Sequence, residues 1–166
     1  MTEITIRAAD KDDAQTIADM LTSLAGEIGD ADRFCSTSET ISRYGFGTNA
    51  LFHSMIAERR IDNDSEPMGL ALFFPTFSTT RARPGLYIQD LWVSDRARGS
   101  GIGRQLITSA IDHAAREWGA AYLSLTVYAD NPSATIFYRR LGFKGGENDC
   151  PMLLDGAAFS ALRSTL

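Results

Sequence analysis

The sequence predicts an α/β fold with a mixed, mostly antiparallel central sheet flanked by helices. An apolar strand pattern at residues 86–93 leads through a glycine-rich loop into a helical pattern at 105–118, and alternation at 121–129 then predicts a half-buried strand. A strand, a helix and a parallel return strand form a right-handed crossover. Two earlier strand patterns, at 52–58 and 68–77, are joined by a polar turn and predict antiparallel neighbours for that crossover.

The N-terminal part of the chain predicts one strand and two helices. Residues 5–8 have the composition of a short strand, and Asp10 is placed to cap a helix that begins near Asp12. The apolar residues of this helix recur at helical spacing: Ile17, Met20, Leu21 and Leu24. Residues 28–46 are polar and small, start a short helix at Ser38, and are expected to cover the core as a substrate-side flap.

The C-terminal part predicts a helix and a final pair of strands. Pro132 is placed to open the helix and Gly142 to close it, while residues 143–147 and 151–154 can supply the strands. The whole chain, residues 1–166, has the length of one ordinary domain, and no repeat or linker divides it.

Composition limits the classes of function. The formal net charge of -5 disfavours binding that depends on attraction to a phosphate backbone, so the expected partner is a cationic small molecule and not nucleic acid. No segment has the pattern of a signal peptide or of a membrane span, which predicts a cytoplasmic protein without a membrane partner. Cys35 and Cys150 have no metal-ligand spacing, so neither a disulfide framework nor a metal site is expected.

The glycine-rich loop predicts a binding site for a pyrophosphate. A loop that enters a helix presents backbone N–H groups without intrahelical partners, and the helix dipole adds partial positive charge there. Phosphate oxygens can accept from those groups. The glycines let the main chain approach the anion and adopt dihedrals that a side chain forbids, and the arginines add full charges. The loop consists of Arg98, Gly99, Ser100, Gly101, Ile102, Gly103 and Arg104.

This Arg-x-x-Gly-x-Gly arrangement, after a strand that ends at Val93, resembles the acetyl-CoA loop of the GNAT superfamily of N-acetyltransferases. Residues 131–143 resemble the second signature of that family, an Asn-x-x-Ala turn followed by a helix that ends Tyr-x-x-x-Gly-Phe. The resemblance covers nearly the whole chain. The segments that resemble the diamine (spermidine/spermine) and thialysine acetyltransferase branch are 44–47 with 52–53, 73–78 and 85–91.

The resemblance implies that acetyl-CoA is the acetyl donor, that the protein is a homodimer, and that two central strands splay apart to admit the pantetheine arm. Backbone groups of Leu91 and Val93 would hydrogen-bond the pantetheine arm, and Asn131 would hydrogen-bond it near the thioester. The alternative for Asn131 is that it only forms a turn before proline. The implied coenzyme-binding residues are Leu91, Trp92, Val93, Arg98, Gly99, Ser100, Gly101, Ile102, Gly103, Arg104, Asn131, Ser133, Ala134 and Tyr138.

Acetyl transfer from a thioester to an amine needs a proton for the leaving thiolate and an acceptor for the amine proton. Tyr138 matches the position of the family's catalytic tyrosine and is the candidate acid; the alternative is that it only packs on the coenzyme. A lysine-like amine has a pKa near 10.4, so only about one molecule in a few thousand is unprotonated at pH 7. A base is therefore required.

The sequence leaves several candidates for that base. The diamine and thialysine branch has Leu-Glu-Asp on the central strand where this chain has Ile88-Gln89-Asp90, and Gln89 cannot accept a proton at neutral pH. Strand alternation puts Gln89 and Asp90 on opposite faces unless a bulge intervenes. Three alternatives remain for the acceptor of the amine proton: Asp90 itself, a flap acid such as Glu27, or a water that Gln89 positions and that carries the proton away. Alternatively, Asp90 binds the substrate's second positive charge.

The remaining candidates concern the acceptor. Three flap acids lie where the branch carries acids for the far end of a polyamine, with simple solvation as the alternative: Glu27, Asp30 and Asp32. The aromatic residues that could wall an acceptor channel, or belong to the core instead, are Tyr44, Phe46, Phe73, Phe74 and Phe77. His53 and His113 have no ligand-spaced partner and are assigned no chemistry.

These features predict an acetyl-CoA-dependent N-acetyltransferase that acts on a primary amine of a small cationic molecule. A polyamine, a diamine or a thialysine-like amino acid is the expected acceptor, and transfer is direct, within a ternary complex. Two alternatives stay open. One keeps the chemistry but changes the acceptor to an amino acid, an aminoglycoside-like compound or a protein N-terminus; the other is a non-catalytic, dimeric acyl-CoA-binding module, against which the presence of Tyr138 argues.

Overall fold

The computed structural model describes residues 4–61, 64–145 and 157. The strands are β1 (Ile4–Ala8), β2 (His53–Ile61), β3 (Asp64–Ser78), β4 (Arg83–Val93) and β5 (Leu123–Ser124). The helices are α1 (Ala14–Glu27), α2 (Ser38–Gly45), α3 (Ile102–Trp118) and α4 (Pro132–Arg140). The chain divides into two compact units, Met1–Thr126 and Val127–Leu166, of which the first holds the sheet with α1 to α3 and the second holds α4. The expectation of a single domain stays a prediction.

The strands form one sheet in the order β1-β2-β3-β4-β5. Neighbouring strands are antiparallel, except that β4 and β5 are parallel. The parallel pair is connected through the glycine-rich loop and α3, as the sequence pattern predicts. The α/β class and the mixed, mostly antiparallel sheet are thereby confirmed.

The parallel pair is short. Leu86 pairs with Leu123 and Tyr87 with Ser124, and β4 then continues to Val93 without β5 beside it. This is the separation of the two central strands that the family resemblance implies. The predicted strand at 121–129 is too long, because β5 pairs with β4 over two residues only. Alternating side chains indicate half-burial, but a strand also needs hydrogen bonds to a neighbouring strand.

The first α-helix begins at Ala14, two residues later than predicted, because Asp10 caps a 3₁₀ turn over Lys11–Asp13 that precedes it. Asp10 accepts from the Asp12 N–H at 2.9 Å, and Asp13 accepts from the Asp10 N–H at 2.8 Å, which makes a capping box at the turn before α1. Arg7 of β1 pairs with Asp13 at 2.7 Å, and this hydrogen-bonded guanidinium lowers the pKa of the Asp13 carboxyl. The start of α1 is thus fixed to the edge strand of the sheet.

The helices pack on both faces of the sheet. On one face, α1 and α2 cover a buried cluster that includes Ile17, Met20, Leu21, Ile41, Ile56, Leu70 and Leu72. Trp92 of β4 packs against the same cluster. On β3, Leu70 belongs to this cluster, whereas its neighbour Gly69 faces Ile102 and Leu106 of α3 on the other side of the sheet.

Four rings fill the space between α3 and the sheet. They belong to His53, Phe73, His113 and Trp118, and their centroids lie 5.1 to 6.3 Å apart. His113 Nε2 is 3.4 Å from His53 Nδ1, and burial lowers the pKa of both imidazoles. Phe73 is completely buried in this cluster, so it belongs to the core and does not wall an acceptor channel.

Some element boundaries differ from the prediction. α3 begins at Ile102, earlier than expected, because its glycine-containing first turn is already helical. β2 extends to Ile61 and β3 begins at Asp64, so both strands are longer than the predicted 52–58 and 68–77. The predicted final strand pair, 143–147 and 151–154, lies mostly outside the described residues.

The close approach of α3 to β3 depends on Gly69. A Cβ at this position would lie 2.9 Å from the Trp92 carbonyl oxygen and 3.0 Å from Leu106 Cδ1. We therefore predict that Gly69→Ala lowers the free energy of unfolding by about 1 to 3 kcal/mol, measured by urea denaturation. Gly26→Ala is the matched control: this glycine lies inside α1 with no atom within 4 Å of an ideal Cβ, so the change should raise stability by up to about 1 kcal/mol. Equal effects of the two substitutions would contradict this account.

Candidate functional site

The loop between β4 and α3 has a conformation that two of its glycines make possible. Gly99 has a φ of 78° and Gly101 a φ of 86°, left-handed values that other residues disfavour. Gly103 lies inside α3 and does not have a positive φ. The expectation that all three glycines need such dihedrals is therefore wrong for Gly103, because the helix has already begun at Ile102.

The N-terminus of α3 presents backbone N–H groups without intrahelical acceptors. The first backbone bond into the helix runs from the Gln105 N–H to the Gly101 carbonyl at 3.1 Å, and no side chain of the described residues caps the helix. The N–H groups of Ile102, Gly103 and Arg104 consequently point out of its end, where the helix dipole is positive. The exposed side chain of Arg104 adds a charge beside them. This end of α3 fits a phosphate group.

Arg98, in contrast, is bound by oxygens of the protein itself. Its guanidinium pairs with Glu27 and, at 2.6 Å, with Asp95, and its Nε–H donates to the Val93 carbonyl at 3.1 Å. Glu27 also accepts from the indole N–H of Trp92 at 2.9 Å. The sequence predicts that the charge of Arg98 serves to bind the pyrophosphate. In this unit, however, that charge is compensated by Glu27 and Asp95.

A β-bulge interrupts β4 at the residues that concern the base. Leu72 of β3 pairs with Asp90, whereas Phe73 pairs with Ile88, so Gln89 has no residue opposite it. Paired residues share a face of the sheet, and Leu72 lies in the cluster under α1 and α2. Asp90 therefore lies on the α1 and α2 face, which regular alternation after Ile88 would have given to Gln89. Gln89 itself is exposed.

The carboxylate of Asp90 has an unusual environment. It is half-buried, and no hydrogen bond or ion pair reaches it from the described part of the chain. Burial without a compensating donor raises the pKa of Asp90 to about 6. A carboxylate with this pKa is still ionised at neutral pH and is a stronger base than an exposed one.

Two of the three flap acids are already paired with arginines. Glu27 pairs with Arg98, and Asp30 pairs with Arg33. Asp32 is exposed. A second ammonium of a substrate would therefore compete with arginines at two of these carboxylates.

The predicted aromatic residues have different environments. Tyr44 is 41% exposed and Phe77 is 65% exposed, so both can meet a ligand. Phe46 packs against the cluster under α1 and α2, and Phe74 stacks on Tyr87 with ring centroids 5.2 Å apart. The role of Tyr44, Phe46 and Phe77 in an acceptor channel stays a prediction.

The second unit holds the other predicted site residues. Asn131 caps α4: its Oδ1 accepts from the Ala134 N–H at 3.1 Å and from the Ser133 hydroxyl at 3.0 Å. Tyr138 is half-buried between Phe137 and Phe143, with ring centroids 5.1 and 5.4 Å away. Burial raises the pKa of Tyr138 to about 12, so its phenol is neutral at physiological pH. Asn131 thus has a capping role, and its contact with a coenzyme stays a prediction.

The connection of Glu27 with Trp92 and Arg98 is absent from the sequence analysis. The partners are 65 and 71 positions apart, and no motif signals a pair at this separation. Two hydroxyl contacts were also missed: Tyr87 donates to Thr126 at 2.8 Å, and Thr76 lies 3.2 Å from the Tyr122 hydroxyl. The polar positions of the predicted strand at 121–129 were a signal for these contacts.

The structure gives no sign of a metal centre in the residues that it describes. No group of three His, Cys, Asp or Glu side chains is arranged there as ligands. Cys35 is exposed with a free thiol, and Cys150 lies outside the described residues. Nor does any helix within the described ranges have the length and apolar character to cross a membrane.

Comparison with known proteins agrees with the geometry of the loop. Residues 29–143 match the family described as acetyltransferase (GNAT). A thialysine N-epsilon-acetyltransferase from Sus scrofa is 30% identical over 147 residues, which cover 86% of this chain and 85% of that protein. A spermine/spermidine N(1)-acetyltransferase from Bacillus subtilis is 24% identical over 89 residues, covering 52% of this chain and 59% of that protein.

A solved structure shows the same fold. An integron cassette protein from V. cholerae superposes with a TM-score of 0.74 and 23% sequence identity, covering 96% of each chain. At this level of identity the likeness concerns the fold alone.

Proposed function

Because the chain belongs to the GNAT family of acetyltransferases, we propose that it moves an acetyl group from acetyl-CoA to a primary amine of a small cationic molecule. The acceptor is a polyamine, a diamine or a thialysine-like amino acid, and transfer is direct within a ternary complex. The observation that carries the proposal is Asp90, a half-buried carboxylate without a partner among the described residues, on the strand that leads into the open end of α3.

The residues of the first unit fit coenzyme A. The N–H groups at the start of α3 suit a pyrophosphate, and β4 beyond Tyr87 has a backbone edge that β5 does not occupy. Leu91 and Val93 on that edge would hold the pantetheine arm. By the resemblance of their motif, Asn131, Ser133 and Ala134 would contact the arm as well. The coenzyme supplies an acetyl thioester.

Asp90 is the proposed acceptor of the amine proton, directly or through one water. Its pKa of about 6 lies near the working pH, where a general base combines a high ionised fraction with useful basicity. Gln89 cannot replace it, because an amide is not a base at neutral pH. The bulge supports this assignment, since it gives Asp90 the face of β4 that regular alternation would give to Gln89.

Tyr138 is the proposed acid toward the leaving sulfur. Complete transfer of a proton from a phenol with a pKa of about 12 to a thiolate is uphill, by about 5 kcal/mol for a thiol with a pKa near 8.5. A neutral phenol can nevertheless donate a strong hydrogen bond to developing negative charge. We therefore assign Tyr138 the role of a hydrogen-bond donor that transfers its proton only as the thiolate forms.

The ion pairs of the flap favour a second candidate acceptor. Glu27 and Asp30 are paired with arginines, which leaves fewer carboxylates for the far ammonium of a polyamine. An acceptor with a single reacting amine, such as an amino acid, an aminoglycoside-like compound or a protein N-terminus, needs none of them. The chemistry at Asp90 would be the same.

The remaining parts of the proposal concern assembly and location. The relatives' branch implies a homodimer, and we propose that this chain forms one in the cytoplasm. Sedimentation of the purified protein tests the dimer.

A panel of acceptor amines tests the function. Release of CoA from acetyl-CoA would be measured as kcat/KM with spermidine, short diamines, thialysine, lysine, an aminoglycoside and an N-terminal peptide. Preference for a polyamine or thialysine supports the leading proposal, and turnover confined to another acceptor supports the second. Tight binding of acetyl-CoA without turnover of any amine would contradict both.

The role of Asp90 predicts the pH dependence of the reaction. Because the base acts when ionised, kcat at saturating amine should fall about tenfold per pH unit below pH 6, as Asp90 becomes protonated. Asp90→Asn should lower kcat about 100-fold at pH 7 and remove this inflection. The exposed Asp112 of α3 is the control, and Asp112→Asn should keep the native profile.

The same variant has a second readout. Folding raises the pKa of Asp90, so its ionised form destabilises the protein above about pH 6 and the effect is relieved as the pH falls. Asp90→Asn should therefore raise the melting temperature at pH 7 while activity falls. A loss of both activity and stability would indicate a structural role for this carboxylate.

Tyr138 separates an enzyme from a binding module. Tyr138→Phe should lower kcat about 10- to 1000-fold, while calorimetry should show an affinity for acetyl-CoA within about threefold of the native value. Tyr128→Phe, at an exposed tyrosine of the same unit, should change neither quantity. Unchanged kcat in the Tyr138 variant would refute the proposed acid.

A further inference from the structure

We propose that Glu27 is a positioning residue, which holds the glycine-rich loop in its binding conformation through Arg98 and neither accepts the amine proton nor binds the acceptor. The inference rests on the proposed use of acetyl-CoA and goes beyond it, because it assigns to Glu27 a role that the family motifs do not contain.

Arg98 connects three segments that meet at the entrance of the loop. Its guanidinium binds Glu27 at the end of α1, Asp95 in the turn after β4, and the carbonyl of Val93, the last residue of β4. The next residue, Gly99, already has a left-handed φ. The start of the loop is therefore fixed from three directions immediately before its first glycine.

Both oxygens of Glu27 already accept hydrogen bonds in this arrangement. Its Oε1 accepts from the indole N–H of Trp92 at 2.9 Å, and its Oε2 pairs with Arg98. Each of the three guanidinium nitrogens of Arg98 also has an oxygen acceptor. A substrate ammonium at Glu27 would share its oxygens with two donors that are already bound there, and a phosphate at Arg98 would compete with the carboxylates of Glu27 and Asp95.

The loop needs such a constraint because of its composition. Glycines at positions 99 and 101 permit the required dihedrals but also many others, so an unconstrained loop loses more conformational entropy when it binds an anion. Trp92 packs against the cluster under α1 and α2, so its hydrogen bond connects the exposed Glu27 to the core. The clamp formed by Glu27, Arg98 and Asp95 thus connects the start of the loop to the core and restricts its motion.

The exposure of the pair sets the size of the effect. Side-chain exposures of 50% for Arg98 and 37% for Glu27 place the ion pair at the surface, where a single pair contributes little. We therefore expect its loss to weaken binding of coenzyme A by about three- to fivefold.

Glu27→Gln tests the proposal, because glutamine keeps an oxygen for the Trp92 indole but loses the ion pair with Arg98. Calorimetry should show the dissociation constant of CoA raised about three- to fivefold. Acetylpantetheine, which lacks the pyrophosphate, should keep its KM within about twofold, since the clamp acts through the pyrophosphate loop. Glu58→Gln is the matched control: it removes the ion pair with Arg7, which joins β2 to the edge strand β1, and should leave CoA binding unchanged.

Hydrogen exchange gives a readout that does not depend on a ligand. In the free protein, the hydrogen-bonded amides of Arg98, Ser100 and Gln105 should exchange about three- to fivefold faster in Glu27→Gln than in the native chain, and Glu58→Gln should not change them. Unchanged exchange and unchanged CoA affinity would overturn the proposal.

Other outcomes also contradict it. A raised KM for the amine with native CoA affinity would make Glu27 a substrate-binding acid, and a displaced pH profile of kcat would make it the base. Equal losses with CoA and acetylpantetheine would indicate general unfolding. If the native protein does not bind CoA, the proposed function fails, and the exchange experiment still decides whether Glu27 orders the loop.

Discussion

The pairing of β3 with β4 is the constraint on which the geometry of the first unit depends. β4 carries Asp90 near its middle and leads at its end into the glycine-rich loop, so the register of this pair sets the position of both. The bulge at Gln89 changes that register by one residue, and every side chain after it exchanges its face of the sheet. Asp90 and Trp92 consequently lie on the α1 and α2 face, where Trp92 meets Glu27. One irregular residue thus determines the environment of the candidate base and the contact that fixes the loop.

The charge available to a ligand at the site depends on which ionised side chains are paired with each other, and not on the net charge of the chain. The net charge of -5 suits a cationic acceptor, yet two flap carboxylates are paired with arginines. The anion-binding end of α3 likewise takes its positive potential from backbone N–H groups and from Arg104, because the charge of Arg98 is compensated by Glu27 and Asp95. The net charge of the chain therefore affects how a substrate approaches the protein. The hydrogen bonds of each side chain decide whether that side chain can act on the substrate.

The sequence predicts those parts that depend on short-range rules. The cap at Asp10, the crossover and the anion-binding loop follow from periodicity, glycine placement and helix-end chemistry, all of which act over a few residues. The bulge at Gln89 depends on how β3 packs against β4, and nothing in the local composition marks it. The same holds for the short β5 and for the pair of Glu27 with Arg98, which joins residues 71 positions apart. Tertiary contacts decide these features, so they become visible only in the folded chain.

Asp90 and Glu27 show why two carboxylates of one unit cannot exchange roles. Both oxygens of Glu27 accept hydrogen bonds, so an amine proton would have to share an oxygen with Arg98 or with the Trp92 indole. Asp90 lies opposite Leu72 without a donor, and its burial raises the pKa to about 6. An unpaired, half-buried charge of this kind costs the fold about 3 kcal/mol at neutral pH, but the same lack of partners leaves its oxygens available for a proton. The donors that let Glu27 hold the loop also compete with an amine proton for its oxygens. Asp90 has no such donors in the described part of the chain, which makes it the stronger candidate for the base.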